Sequence, residues 1–429
     1  MGMNSRVRWQ RDSWRTFVPL LTASLIVMAC DSGKPEAAPP ATSGAGVASA
    51  KAPTESAADK GGPIVIGAAI AQTGFFSAFD TAAYRGSVLA TEDINAKGGV
   101  SGRQLQIIAG DMKSDRTLGA NVAVEQLGKG AKLLLVSCDF DIGSPAAIAA
   151  TEKGVLAFSL CASSSKFGPK GIGPLAFTPS TATNAKGFAI AEWAYARGWR
   201  TAYLIGDRIS HYSKTYPQYF KERFVELAGK DSILGEDTFM NSDPSIAAQI
   251  TRIKALGKKP DLIFFCSVPP GGASAVRQIR AAGLDMPIAA CGAMDGTFWL
   301  ESIPNLSNFY SIAAASIYGD DPEPRINDLV QRYKKKFNED PVQYLPALGY
   351  SGVELFAKAV AKAGSTDGDA LRKVLEQFVD EPTITGPMTF NQQWHINLAH
   401  PMRMTEVAGG KRKFTGMVTP SKVSEKEYN

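Results

Sequence analysis

From Pro63 onward the chain alternates short β-branched or aliphatic runs with segments whose apolar positions recur at helical spacing. Ile64-Val65-Ile66 opens a buried strand, and Val88, Leu89 and Ile94 mark one face of a helix over Tyr84 to Lys97. The spacing then predicts strand 105–109, helix 118–127, strand 133–136, a helix 145–153 with Pro145 in its first turn, and strand 155–159. The pattern starts over as helix 184–197, strand 201–205, helix 215–227, strand 232–234, helix 246–256, strand 262–265, helix 273–282 and strand 287–290. Strict alternation of this kind predicts βαβ units and parallel sheets covered on both faces. Two helical stretches follow, 325–337 and 345–363, then a strand-like tail at 388–390 and 402–407. Because that tail does not continue the alternation, it is expected to return across the junction between two halves.

The first 62 residues have a different texture. Arg6, Arg8, Arg11 and Arg15 precede an apolar run from Val18 to Ala29. A basic start, about a dozen apolar residues and a small residue before a cysteine read as an export signal. The run falls short of the about 20 residues that a stable membrane span needs. Asp31 to Gly62 is rich in Ala, Pro, Ser, Gly and Thr and has no aromatic residue, so it cannot bury enough apolar surface to offset its ordering entropy. It reads as a flexible tether.

Length and charge sharpen this picture. At 429 residues the chain exceeds what one hydrophobic core supports, so at least two lobes are expected. The formal net charge is +5, and residues 1–29, with four Arg and one Asp, hold +3 of it, leaving +2 for the remainder. No basic field for nucleic acid remains.

The cysteines fall at strand ends. Excluding Cys30, each half has a pair at consecutive ends: Cys138 with Cys161, and Cys266 with Cys291. Neighbouring strands lie about 5 Å apart, which brings such ends within disulfide reach, and export permits the bonds. An enzyme would have to use Cys161 or a Ser with His211, His395 or His400, and His211 stands in the half opposite Cys161. No nucleophile elbow, Walker loop or metal-ligand spacing occurs, so neither catalysis nor a cofactor or metal is expected. Gly98-Gly99-Val100-Ser101-Gly102 follows a helix and precedes a strand, the reverse of a dinucleotide fingerprint, and reads as a helix C-terminus and turn.

Val27-Met28-Ala29-Cys30 resembles a bacterial lipobox, although Met28 stands where a smaller residue is usual. The resemblance implies removal of residues 1–29, diacylation of Cys30 and a lipid-anchored tether over 30–62; two acyl chains suffice for stable anchoring. Asp31 is similar to the inner-membrane retention signal of Gram-negative lipoproteins, which implies the periplasmic side of that membrane.

"IVIGAAIAQTG" (64–74), "EDINAKGGVSGRQLQIIAGD" (92–111) and "GPMTFNQQW" (386–394) are similar to the branched-chain amino acid and amide binding proteins, type I periplasmic binding proteins of ABC transporters. The resemblance spans residue 64 to about 415. It implies a two-lobed α/β fold with three crossing segments, expected near 179–183, 313–316 and 392–395. Lobe 1 is then 63–182 with 315–391, and lobe 2 is 183–314 with 392–425. The ligand cleft is expected beyond the carboxyl ends of the strands, where open α/β sheets bind ligands.

On that resemblance the loop "QTGFFSAFD" (72–80) covers the bound solute, with contact from Phe75, Phe76 or Phe79. Ala162, Ser163 and Ser164 hold a ligand carboxylate, and Tyr212 supplies an aromatic wall. Phe140 joins the cleft, but its neighbours Asp139 and Asp141 stand where the family commonly has Ser or Thr, and unpaired they repel an anion. Asp295, or Ala293 in its place, matches the position that meets an ammonium group. The resemblance implies a small-molecule ligand, ABC permease subunits as partners, and a monomer. A hydrophobic or branched-chain amino acid leads among the ligands. A lipoprotein that senses an amide, aromatic acid or other solute and signals to a membrane partner is the alternative.

Overall fold

The computed structural model describes residues 61–428, so the export signal, Cys30 and most of the tether lie outside the described residues. The first half runs β1 (Ile64–Ile70), α1 (Ser77–Ala96), β2 (Leu105–Asp111), α2 (Arg116–Gly128), β3 (Leu133–Val136), α3 (Phe140–Glu152), β4 (Leu156–Ser159) and β5 (Ala176–Phe177). These strands form one parallel sheet in the order β2-β1-β3-β4-β5. Alternate residues of each strand face opposite ways. Ile64, Ile66, Leu133 and Leu135 point to one core, and Ala69, Leu134, Val136 and Ala157 to another, against α2 and α3.

The second half runs α4 (Thr183–Ala196), β6 (Ala202–Asp207), α5 (His211–Ala228), β7 (Ile233–Phe239), α6 (Ala247–Lys254), β8 (Leu262–Cys266), α7 (Gly271–Ala281), β9 (Ile288–Ala290) and β10 (Phe309–Ala313). Its sheet is likewise clothed on both sides. Ile205, Ile263 and Phe265 meet α6 and α7, whereas Leu204, Leu262 and Phe264 meet α4 and α5. Burying each such large side chain contributes roughly 1.5–3 kcal/mol.

The chain then returns to the first lobe with α8 (Pro324–Phe337), α9 (Leu345–Ala363), α10 (Gly368–Leu375) and the short pair β11 (Glu381–Pro382) and β12 (Pro387–Met388). Helix α9 packs on α1 at very close range. A Cβ on Gly86 would lie 1.9 Å from the carbonyl oxygen of Pro346, and one on Gly349 would lie 1.9 Å from that of Ala83. Only glycine admits this approach.

The tail returns across the junction, as its break from alternation predicts. β13 (Met402–Ala408) and β14 (Lys411–Val418) do extend the second sheet, because they enter it antiparallel: β13 pairs with β10, and β14 with β13. The chain therefore passes between the sheets three times, after β5, after β10 and before β13. The first and third passages run side by side: Thr178 N–H donates to His395 O at 3.0 Å and Ala182 N–H to Asn397 O at 3.0 Å. Arg403 of β13 clamps Asp321 of the second passage through Nε at 3.1 Å and Nη2 at 2.9 Å, both side chains buried.

Three helices, α1, α3 and α5, begin four or more residues before their apolar spacing suggests, α5 at His211 behind the Ser210 cap. α1 starts at Ser77, so Phe79 and Asp80 belong to its first turn and not to a loop; an acidic residue there suits the positive end of the helix. α3 starts at Phe140 because Asp139 Oδ1 accepts from Ile142 N–H at 3.1 Å, and Pro145 falls inside the helix.

Candidate functional site

The carboxyl ends of β1, β3 and β4 face those of β6, β8 and β9 across a partly open cavity of about 70 Å³. One water needs roughly 10–15 Å³ of such space, so the cavity holds several water molecules or one small solute. The first lobe lines it with Phe76, Phe79, Cys138, Asp139, Phe140, Cys161, Ser163 and Ser164. Ser210, Tyr212, Val268 and Ala293 close it from the second lobe, and Gln343, Tyr344 and Leu345 from the loop that enters α9.

Several buried polar groups fix these walls. Asp80, fully buried, accepts from the N–H of Ala71 and of Cys138, both at 2.8 Å, and from Ser137 Oγ at 3.1 Å, tying α1 to the ends of β1 and β3. Burial pushes its carboxyl up to about 6. Ser159 Oγ accepts from Ala162 N–H at 2.9 Å and donates to Ser137 O at 2.8 Å, which shapes the turn carrying Ser163. Asp139 is pushed up to about 7 by burial first and by neighbouring Asp141 second. It is the carboxyl group in the cavity wall.

The two lobes touch through the site. Asp141 Oδ2 accepts from His211 N–H at 3.0 Å, and Gln343 Nε2 donates to Ala293 O at 2.8 Å. Tyr212 stands edge-on to Tyr216, with ring centroids 5.3 Å apart, and burial raises its hydroxyl above the ordinary value.

The disulfides follow from register. Val136 pairs with Ser159 and Phe265 with Ala290, so continuing each ladder sets Cys138 beside Cys161 and Cys266 beside Cys291. Both bonds are present, with Cα atoms 4.5 and 5.0 Å apart.

Of the ligand residues expected from the sequence, Phe76, Phe79, Phe140, Ser163, Ser164 and Tyr212 line the cavity. Three stand elsewhere. Phe75, 49% exposed, lines an outer recess of about 640 Å³ with Phe298 and Pro270. Ala162 is buried behind the wall, its carbonyl accepting from Thr178 Oγ1 at 2.7 Å.

Asp295 turns away from the cavity into the second lobe, fully buried, with Tyr318 Oη 2.8 Å and Arg412 Nη1 3.5 Å from its Oδ1. Arg412 itself also reaches Ser311 Oγ, Met294 O and Gly296 O. Held in this way, Asp295 does not line the cavity. Ala293, two residues earlier, occupies the wall instead.

Gln343, Tyr344, Val268 and Ser210 carried no periodic signal of a site, since all four sit in connections between elements. Lys186 is a further omission: 4% exposed, it donates from Nζ to Ser163 Oγ at 2.6 Å, and burial lowers it to about 7.

Comparison with known proteins places this architecture. Residues 63–412 match the family model described as periplasmic binding protein. The Leu/Ile/Val-binding protein homolog 1 of Brucella melitensis biotype 1 is 22% identical over 342 residues, covering 77% of this chain and 86% of that protein. Among solved structures, the branched-chain amino acid transporter substrate binding protein LivJ from Streptococcus pneumoniae, in complex with isoleucine, superposes with a TM-score of 0.72 at 24% identity, covering 83% of this chain and all of that one. A solute binding protein of an ABC transporter from R. palustris, in complex with benzoate, gives 0.68 at 18% identity over 85% of this chain and 98% of that one. At these identities the structures speak for the fold, while the family match spans most of the sequence. The chain belongs to the periplasmic binding protein family.

Proposed function

We propose that this chain is the extracytoplasmic solute-binding protein of an ABC importer and captures a small, partly apolar carboxylate, a hydrophobic amino acid first among them. The observation that carries this reading is the cavity between two sets of strand ends, with Phe76, Phe79, Phe140 and Tyr212 as apolar walls and Ser163 and Ser164 as a hydroxyl edge. Relatives and structural neighbours bearing the names of Leu/Ile/Val and isoleucine binders support the same assignment. Residues 63–182 with 315–391 form lobe 1 and 183–314 with 392–425 form lobe 2. Hinge motion along the three passages opens and closes the cleft, and the closed form is what a permease recognises. The protein acts as a monomer, exported by residues 1–29 and anchored through Cys30.

Asp139 replaces Asp295 as the partner for a ligand ammonium group. A cation beside it also relieves the burial that raises its carboxyl. A second reading, an aromatic acid lacking an ammonium group, is favoured by the engagement of Asp295 with Arg412 and by the benzoate-bound neighbour.

A thermal-shift screen against hydrophobic amino acids, amides and aromatic acids tests both. A ligand at 100 times its dissociation constant adds about 2.7 kcal/mol of stability. Stabilisation by leucine, lost in Asp139→Ala, supports amino acid capture. Stabilisation by benzoate alone selects the second reading, and no stabilisation by any solute removes both.

A further inference from the structure

Lys186 lies near the N-terminus of α4, where both its surroundings and the helix oppose a positive charge. Only 4% of its surface is exposed, and a cation near the first turn faces the positive end of the helix dipole. His400, which feels Lys186 and Arg403, brings no negative charge and is held neutral by burial and by both cations. No carboxylate among the described residues offsets Lys186; burial alone governs it. Its Nζ instead donates to Ser163 Oγ at 2.6 Å and to Ser180 Oγ at 3.2 Å. Ser163 lines the cavity, its Oγ also 3.0 Å from Ser180 Oγ; with Lys186 donating to both hydroxyls and Ser180 donating its proton to Thr181 O or to Ser163 Oγ, the Ser163 hydroxyl proton is left to point inward.

We propose that Lys186 is the counter-charge for the carboxylate of the captured solute, acting through Ser163, whose Oγ accepts from Lys186 and donates to a carboxylate oxygen. This rests on the solute-capture reading above and adds to it the charge of the ligand. No bond is made or broken. Lys186 is a positioning residue: it touches Ser163, and Ser163 touches the ligand. An anion one hydroxyl away also strengthens Lys186's hold on its proton, so capture at mildly alkaline pH takes up a fraction of a proton from solvent.

The test is calorimetry of the purified protein, Lys186→Met and Lys186→Gln at pH 8, in two buffers of different ionisation enthalpy. The probes are leucine, isoleucine, benzoate and acetate, with leucinamide and benzamide as uncharged-end controls. The expected result is binding of at least one acid by the wild type with net proton uptake, at least a tenfold loss of that affinity in both variants, and no proton uptake in either. The amides should not distinguish wild type from variants. Equal affinity of wild type and variants for the acids overturns the assignment. Binding of the amides alone overturns it too, while leaving solute capture standing; no binding by any probe removes both.

Discussion

Asp141 accepts the backbone N–H of His211 at 3.0 Å, a hydrogen bond from the first turn of one lobe's helix to the first residue of the other's. It lies beside the cavity, where Phe140 and the His211 ring approach to 6.1 Å. On the hinge motion proposed above, the contact breaks when the lobes part, so it stabilises the closed state relative to the open one. Asp141→Ala should therefore weaken solute affinity by about fivefold, the equivalent of about 1 kcal/mol for a half-buried charged hydrogen bond. The loss should appear mostly as faster release, measurable by stopped-flow fluorescence. An unchanged release rate would exclude a latch at this position.

Asp295→Asn should behave in the opposite way. Breaking one side of a fully buried ion pair costs about 3 kcal/mol or more, and here it strands Arg412 in the interior. Thermal unfolding should drop markedly, with solute affinity within twofold of wild type. A selective loss of affinity at unchanged stability would return Asp295 to the site.

The two disulfides offer a matched pair. Each closes a loop of similar length, 23 and 25 residues apart, and each should contribute about 3 kcal/mol on chain-entropy grounds. Replacing Cys266 and Cys291 with Ser should lower stability alone, because both are buried away from the cavity. Replacing Cys138 and Cys161 should lower solute affinity as well, since both line it. Denaturant titration with parallel binding measurements separates the outcomes, and equal effects on affinity would contradict the placement.

Lys186 also marks the pH dependence of stability. Its folded-state value, about 7, lies below the unfolded value of 10.5, so between these limits the unfolded chain binds more protons. Stability contributed by this group therefore rises with pH through that window, by about 1.4 kcal/mol per pH unit at its steepest. Asp139 and Asp80, raised to about 7 and about 6, act at lower pH and with the opposite sign, favouring the folded state less as pH climbs from about 4 to 7. Lys186→Met should flatten the alkaline rise in chemical denaturation and leave the acidic limb in place. A rise that persists in the variant would assign it to another group.

The strands were legible because their apolar runs fit a sheet buried on both faces, and strand Leu133–Val136 matches its expected limits, as does helix Leu345–Ala363. The cysteine pairs were legible for the same reason: once the strands are adjacent and parallel, register does the rest. Asp295 was not. Its partner Arg412 comes from a hairpin that enters the sheet against the direction of every preceding strand, and nothing local announces that reversal. Lys186 was equally silent, since a single lysine on a helix reads as a solvated face until the neighbouring lobe covers it. The early starts of α1 and α3 escaped because Phe76, Phe79 and Phe140 face the cavity and break the apolar spacing of their helices.

The glycine contact between α1 and α9 joins segments that a ribosome delivers far apart in time. All of β6 to β10 is made in the interval, and a chain that ends before residue 363 has no complete α9 to set on Gly86. Until α9 is present, the face of α1 that carries Gly86 has no partner. Cutting the gene at any one passage gives two pieces, neither of which holds both lobes' strands and covering helices entire.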